Sequence, residues 1–365
     1  MAPFYGPRFG NPSSLHRWGR EARTALDEAR ERLAGCLGAR SDEIFFTSGG
    51  TEADNLAILG AWRARRKEGR NAVVSDPIEH KAVLGAVHQA AREGAEERLC
   101  RVTPAGVVDT ASFDELTHGG DVAVASVMWV NNEIGTIQPI ETLAAIAKSR
   151  GTLFHTDAVQ AFGKVEIDAR NVAFDALAIS GHKIGAPKGC GAIFIRRNTV
   201  LEALFHGGTQ ERGKRPGTEN VAFAVGLATA AELANRERKA ENARLGALRE
   251  RLERGIRERV PDAVIHGAGA SSRAPHIVNV SVPGTDSESM LMALDLQGIG
   301  CSAGSACQSG SSSPSHVLSA IGVSRDLVNA AIRMSLGSLS NEQCVDRVVE
   351  VFARLVTKAR GLAHV

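Results

Sequence analysis

The sequence predicts an α/β protein of two domains, a large one with a mainly parallel sheet between helices and a smaller C-terminal α/β domain. Three observations carry that prediction. Short apolar runs recur at 44–47, 71–75, 122–130, 152–159, 174–180 and 191–195, and helix-like segments lie between several of them, notably 80–92 and 140–149. From about Val221 the pattern turns strongly helical and charged, through RERKAENARLGALRERLERGIRERV. The length of 365 residues is long for a single core, so the chain is divided into 1–235 and 236–365.

The elements follow in order. Ser13–Gly38 reads as a helix, with serines near its start, Leu26, Ala29, Leu33 and Leu37 on one stripe, and Gly38 at its end. The run Ile44-Phe45-Phe46-Thr47 feeds SGGTEADNLAILGAW, a glycine turn entering a second helix. In a parallel sheet ligands bind beyond the carboxyl ends of the strands, so the residues that follow each run are the candidates for chemistry. SGGT (48–51) offers backbone N–H groups, a helix dipole and the Thr51 hydroxyl to an anion, although such a turn also serves as a plain tight connection. HTDAVQ places Asp157 just after a strand with Gln160 three residues on, where a carboxylate also serves as a helix N-cap. SGHK places Lys183 directly after FDALAIS, beside Ser180 and His182, two groups suited to an anion. A lysine on the same rim as a carboxylate and a phosphate cup is what pyridoxal phosphate needs: the lysine for a Schiff base, the acid for the pyridine nitrogen, the cup for the phosphate.

Bulk properties narrow the function. A formal net charge of +2 with no basic stripe gives no argument for nucleic acid, and no apolar run approaches the ~20 residues of a membrane span. MAPFYGPRFGNP lacks the charged start and apolar core of a secretory signal. Six scattered cysteines (Cys36, Cys100, Cys190, Cys301, Cys307, Cys344) form neither a disulfide framework nor a CxxC zinc pair, so no metal is expected and the chain reads as a reduced, cytoplasmic enzyme. Cys307 stands apart. It lies in GSACQSG, followed at once by SSSPS, a setting of glycine and serine that no packing thiol needs.

Six blocks, IEHKAV (78–83), VNNEIGTIQPI (130–140), HTDAVQAFGK (155–164), SGHKIGAPKG (180–189), GGTQERGKRPGTEN (207–220) and GSACQSGSSSPSHVL (304–318), resemble the cysteine desulfurase family. These are pyridoxal phosphate enzymes of fold type I in the class V aminotransferase group, and the resemblance runs from FGNPSSLH (9–16) to AIRMSLG (331–337). It implies that Lys183 carries the cofactor and takes the substrate's Cα proton. Asp157 would pair with the pyridine nitrogen, Gln160 with the phenolic oxygen, and His80 would stack on the ring. Thr51, Ser180 and His182 would hold the phosphate, with Thr218 reaching over from the second subunit of a homodimer. Asn132 and Arg333 would bind the substrate carboxylate.

The resemblance also gives Cys307 a role. Its thiolate attacks the sulfur of L-cysteine, leaving L-alanine and a persulfide, and the long cysteine loop (about 303–314) carries that sulfur to an acceptor. The acceptor would be an iron–sulfur scaffold or a sulfur-relay protein, as in iron–sulfur cluster assembly or tRNA thiolation. Cys301 is expected to be a small packed residue at a strand end. Family members usually begin with a short strand and an Ala-Thr-Thr turn ahead of FGNPSSLH, and the chain is expected to lack that segment. The alternatives are a selenocysteine lyase, a related class V enzyme, or a non-catalytic homologue that binds the cofactor.

Overall fold

The computed structural model describes residues 1–303 and 314–362. The chain divides into two compact units, the first made of Met1–Arg101, Val108–Trp129 and Gln138–Arg238, the second of Val102–Val107, Val130–Ile137 and Lys239–Val365. Two short excursions, 102–107 and 130–137, therefore belong with the C-terminal part, a division that no change in composition announces.

The first unit holds β1 (Ile44–Thr47), β2 (Ala72–Ser75), β3 (Glu96–Leu99), β4 (Val122–Ser126), β5 (Leu153–Asp157), β6 (Ala176–Ser180) and β7 (Gly191–Ile195), in the order β1-β7-β6-β5-β4-β2-β3. Strands β2 to β6 pair in parallel, and β7 runs antiparallel to both β6 and β1. Its helices are α1 (Arg17–Leu37), α2 (Gly50–Arg65), α3 (Lys81–Arg92), α4 (Thr110–Thr117) and α5 (Ile140–Ser149). Strands β2, β4, β5, β6 and β7 are buried along their whole length, as expected where helices cover both faces of a sheet. Leu56, Ile58 and Trp62 of α2 share one core with Val83 and Val87 of α3 and with Val73, Val124, Ala178 and Ile193 from the sheet. Each such side chain contributes roughly 1.5–3 kcal/mol by leaving water.

Three local departures from the sequence reading have plain causes. Helix α1 starts at Arg17, and its cap is His16, whose Nδ1 accepts the Gly19 N–H at 3.1 Å, in place of a serine. The run 122–130 stops being a strand at Ser126, yet the chain beyond it stays tied to the end of β5, with Val127 N–H donating to His155 and Trp129 N–H to the Asp157 carbonyl at 2.9 Å. Strand β3 (EERL) is a polar edge, charged as edges commonly are, and so carries no apolar signal.

Helix α6 (Val221–Arg259) carries the chain from the first unit into the second. There β8 (Val264–His266), β9 (Ile277–Ser281), β10 (Ser302–Ala303) and β11 (Ala331–Ser335) form an antiparallel sheet in the order β10-β11-β9-β8. The accompanying helices are α7 (Ser287–Asp295), α8 (His316–Ala320), α9 (Arg325–Asn329) and α10 (Glu342–Leu362). Leu248, Leu252 and Ile256 of α6 pack with Val278, Val280 and Phe352, and Cys301 lies half-buried against this core. The excursion 130–137 is sewn in by the Gly135 carbonyl, which accepts from Ala274 N–H at 2.8 Å, and by Asn279 Nδ2 donating to the Glu133 carbonyl at 3.2 Å. Among the described residues no helix is long and apolar enough to cross a membrane.

Candidate active site

In the first unit the side chains expected to hold the coenzyme hang from the ends of β5 and β6 and from the turns that enter α2 and α3. The glycines of the SGGT turn matter by their smallness. A Cβ on Gly191 would stand 2.6 Å from the Gly49 Cα, and one on Gly50 would stand 2.6 Å from Val159 Cγ2. Glycine at these places lets the turn lie against β6 and β7, which brings the N-terminus of α2 close to Ser180. Thr51 sits exposed in the first turn of α2. Ser180 Oγ and His182 Nδ1 are 3.0 Å apart, and burial, then Lys183 and Lys188, hold the His182 pKa below its usual value. An uncharged imidazole beside a hydroxyl fits a phosphate oxygen at the mouth of a helix.

Asp157 closes β5 and is buried; its Oδ1 accepts the Val159 N–H at 2.8 Å in a turn, and no helix follows for it to cap. Lys183 ends the single 3-10 turn that follows β6, on the exposed side. Burial raises the Asp157 pKa, while His80, the Val159 N–H and Lys183 pull it down. His80 caps α3, with Nδ1 accepting the Ala82 N–H at 3.1 Å, so in the neutral ring the proton is assigned to Nε2. Asp54, His80 and Asp157 each bring a polar atom within 4.8 Å of the others'. Gln160 lies half-buried in the turn after Asp157. Thr218 is exposed and lines a cavity of about 230 Å³ with Thr47, Ser48, Gly191 and Arg215 of its own chain, a lining that does not include Thr51.

The second unit brings together the two residues expected to bind a carboxylate. Arg333 Nη1 donates to the Asn132 carbonyl at 3.0 Å, and both side chains are half-buried. Among the described residues the buried Asn132 Oδ1 has no hydrogen-bond partner. Cys307, expected as the nucleophile, lies outside the described residues. Cys301 precedes β10, and burial pushes its thiol up to about 11, which keeps it protonated and unreactive near neutral pH.

A family model described as aminotransferase class-V matches residues 1–348. A cysteine desulfurase IscS of Dictyoglomus turgidum is 43% identical over 363 residues, covering 100% of this chain and 91% of that protein. The chain belongs to the cysteine desulfurases of the class-V aminotransferase family. A cysteine desulfurase NifS of Azotobacter vinelandii is likewise 43% identical, over 100% of this chain and 90% of its own. A solved NifS-like protein superimposes with a TM-score of 0.91 at 34% identity, covering 98% of this chain and 94% of that one.

For a cysteine desulfurase, the sequence reading missed a set of buried acids behind Asp157. Asp54, Asp76 and Glu79 are at most 1% exposed, and burial is the first cause raising the pKa of each. His155 is fully buried and held down to about 3 by desolvation; its Nδ1 meets Ser126 Oγ at 2.9 Å. A signal for part of this existed: His155 and Asp157 stand two apart on one strand, so they share a face of the sheet. Asp54 and Glu79 lie inside the quoted stretches SGGTEADNLAILGAW and IEHKAV but look like ordinary helix and turn residues until their burial is known.

Proposed function

We propose that the chain binds pyridoxal phosphate in the first unit and, as a cysteine desulfurase, takes sulfur from L-cysteine to give L-alanine and a persulfide on Cys307. The observation that carries this reading is a buried carboxylate, Asp157, at a strand end with the Lys183 ammonium and the His80 ring as its neighbours. The residues fit the coenzyme: Asp157 suits a pyridine nitrogen, and the glycine-packed N-terminus of α2 with Ser180 and His182 suits a phosphate. Bound there, the coenzyme supplies the electron sink that makes the substrate's Cα–H acidic and its carbon–sulfur bond breakable.

The chain's own residues do the rest. Lys183 holds the coenzyme, takes the proton from Cα and returns one to the product. His80, capped through Nδ1, presents the Nε2 edge on the Asp157 side. Thr51 and, from the second subunit of the homodimer, Thr218 complete the phosphate contacts, Gln160 serves the phenolic oxygen, and Asn132 and Arg333 take the substrate carboxylate. The Cys307 thiolate attacks the substrate sulfur. A sulfur–sulfur bond forms, the carbon–sulfur bond breaks, and the electron pair left on Cβ takes a proton to complete alanine. The proposal extends to a homodimer, to a cytoplasmic setting and to delivery of the persulfide sulfur to an iron–sulfur scaffold or sulfur-relay protein.

The test is incubation with pyridoxal phosphate, cysteine and a thiol reductant, following alanine and sulfide. Equal amounts of both products are expected, with loss of both in Lys183→Ala and in Cys307→Ala. Cofactor uptake with neither product would count for a non-catalytic homologue, and faster turnover of selenocysteine for a lyase.

A further inference from the structure

Behind Asp157 two polar atoms face each other with no hydrogen bond to anything else. Asp54 Oδ1 and His155 Nε2 are 3.5 Å apart, both buried, and neither has a hydrogen-bond partner among the described residues. One proton between them satisfies both, either as an imidazole N–H toward a carboxylate or as an acid O–H toward a bare ring nitrogen. The first arrangement puts a second negative charge within 4.8 Å of Asp157, in a place where neither acid is more than 5% exposed. Two carboxylates so placed cannot both ionise easily, and one keeps a proton.

The surroundings decide which. Asp157 is faced by His80 from the start of α3 and by Lys183 after β6. Asp54 is faced by His155 and Asp157 of β5 and by His80 at the start of α3, and Glu79, with Asp76 beside it in the turn before α3, adds further acid to the cluster. A His80 ring nitrogen lies within 4.8 Å of both acids, so the asymmetry is the Lys183 ammonium, which acts on Asp157 and not on Asp54. Burial and the Asp157 charge both push the Asp54 pKa up, and desolvation keeps the His155 ring uncharged.

We propose that Asp54 is a positioning residue that stays protonated and donates to His155 Nε2, so that Asp157 remains the one anion of the pair toward the coenzyme's pyridine nitrogen. In that arrangement the His155 Nδ1–H donates to Ser126 Oγ, and a chain of neutral groups, Ser126, His155 and Asp54, backs the Asp157 charge. The inference rests on the coenzyme reading only for its purpose; the proton itself belongs to the chain.

The first measurement is an infrared spectrum of the coenzyme-free full chain at neutral pH. A protonated-carboxyl C=O band is expected that is missing in Asp54→Asn and shifted in His155→Gln, which changes the acceptor of the O–H. The second is a pH titration of the visible absorption of the loaded protein. Asp54→Asn, neutral and isosteric, should move its midpoint by less than about 0.3 unit, whereas removal of a nearby anion would move it by about one unit or more. Asp54→Ala should weaken coenzyme retention, measured by equilibrium dialysis, and Asp54→Asn should restore most of it. An unchanged carboxyl band in Asp54→Asn, no shift in His155→Gln, or a midpoint displaced by a unit overturns the proposal. A chain that never takes up coenzyme speaks against the coenzyme reading, while the infrared result still decides where the proton sits.

Discussion

Two buried clusters of ionisable groups in the first unit are built in opposite ways. Arg30 and Glu211 answer each other. The Arg30 guanidinium grips both oxygens of Glu211 at 2.7 Å, reaches the Ile44 carbonyl, and lies 4.9 Å above the Phe46 ring. Glu211 also accepts the Phe46 N–H, and the two side chains are 6% and 2% exposed. Around Asp157 the acids Asp54, Asp76 and Glu79 are as deeply buried, and oxygens of Asp54 and Asp76 have no hydrogen-bond partner. A cluster that serves only the fold closes on itself, bidentate and complete. A cluster kept short of positive charge is a place prepared for a ligand that brings its own.

The sharpest way to break this comparison is to open the closed cluster. Arg30→Ala leaves the Glu211 carboxylate buried and unpaired, and should lower the unfolding free energy by about 3–5 kcal/mol in chemical denaturation. Arg30→Met combined with Glu211→Leu should recover most of that loss, because the desolvation penalty goes with the charges. If the single variant unfolds like the parent, the pair is ornamental and the contrast fails. Glu211 gives a second handle, since its backbone sits at φ 48, a left-handed conformation that the paired side chain helps hold.

Asp157→Asn tests the open cluster and should act in two directions. Alanine formation should fall by on the order of 10²-fold, the usual loss when one preorganised charge partner is removed. The coenzyme-free chain should become more stable to denaturant, since a buried acid with a raised pKa is traded for a neutral amide that keeps the Val159 bond. A variant that loses activity and stability together would show Asp157 to be a structural residue.

The smallest effect is on the pH dependence of stability. Burial raises Asp76 from 3.8 to about 7, against the pull of the Ile78 N–H. The folded coenzyme-free chain thus binds a proton that the unfolded chain has released. The contribution is full below the ordinary carboxylate range and is lost as pH climbs through about 7. Stability should decline across that window by no more than about 1.4 kcal/mol per pH unit for one proton, and Asp76→Asn should flatten the slope. A parent curve that rises across the window instead would mean that Asp76 is ionised throughout.

These contrasts also show what could be read from the chain alone. The placement of Lys183, Asp157 and His80 was legible because each ends or follows a strand or opens a helix inside a quoted motif. The α/β alternation was legible because buried parallel strands such as VAVAS and ALAIS are apolar without interruption. The closed and open acid clusters were not. Arg30 pairs with a glutamate 181 residues away, and Asp54 meets a histidine from another element; no local pattern records either meeting. His16 and His80 both cap helices through Nδ1, a task usually read from serine or aspartate.

The excursion Val130–Ile137 has a consequence for how the molecule is made. Its backbone partners, Ser272 and Ala274, are synthesised long after it leaves the ribosome. The bonds from the segment that carries Asn132 to 272–274 therefore wait until the C-terminal part of the chain arrives. The second unit is not a cassette: a gene fragment encoding 239–365 would lack the strip of backbone that Ser272, Ala274 and Asn279 are set to bind, and Arg333 would lose the carbonyl it holds.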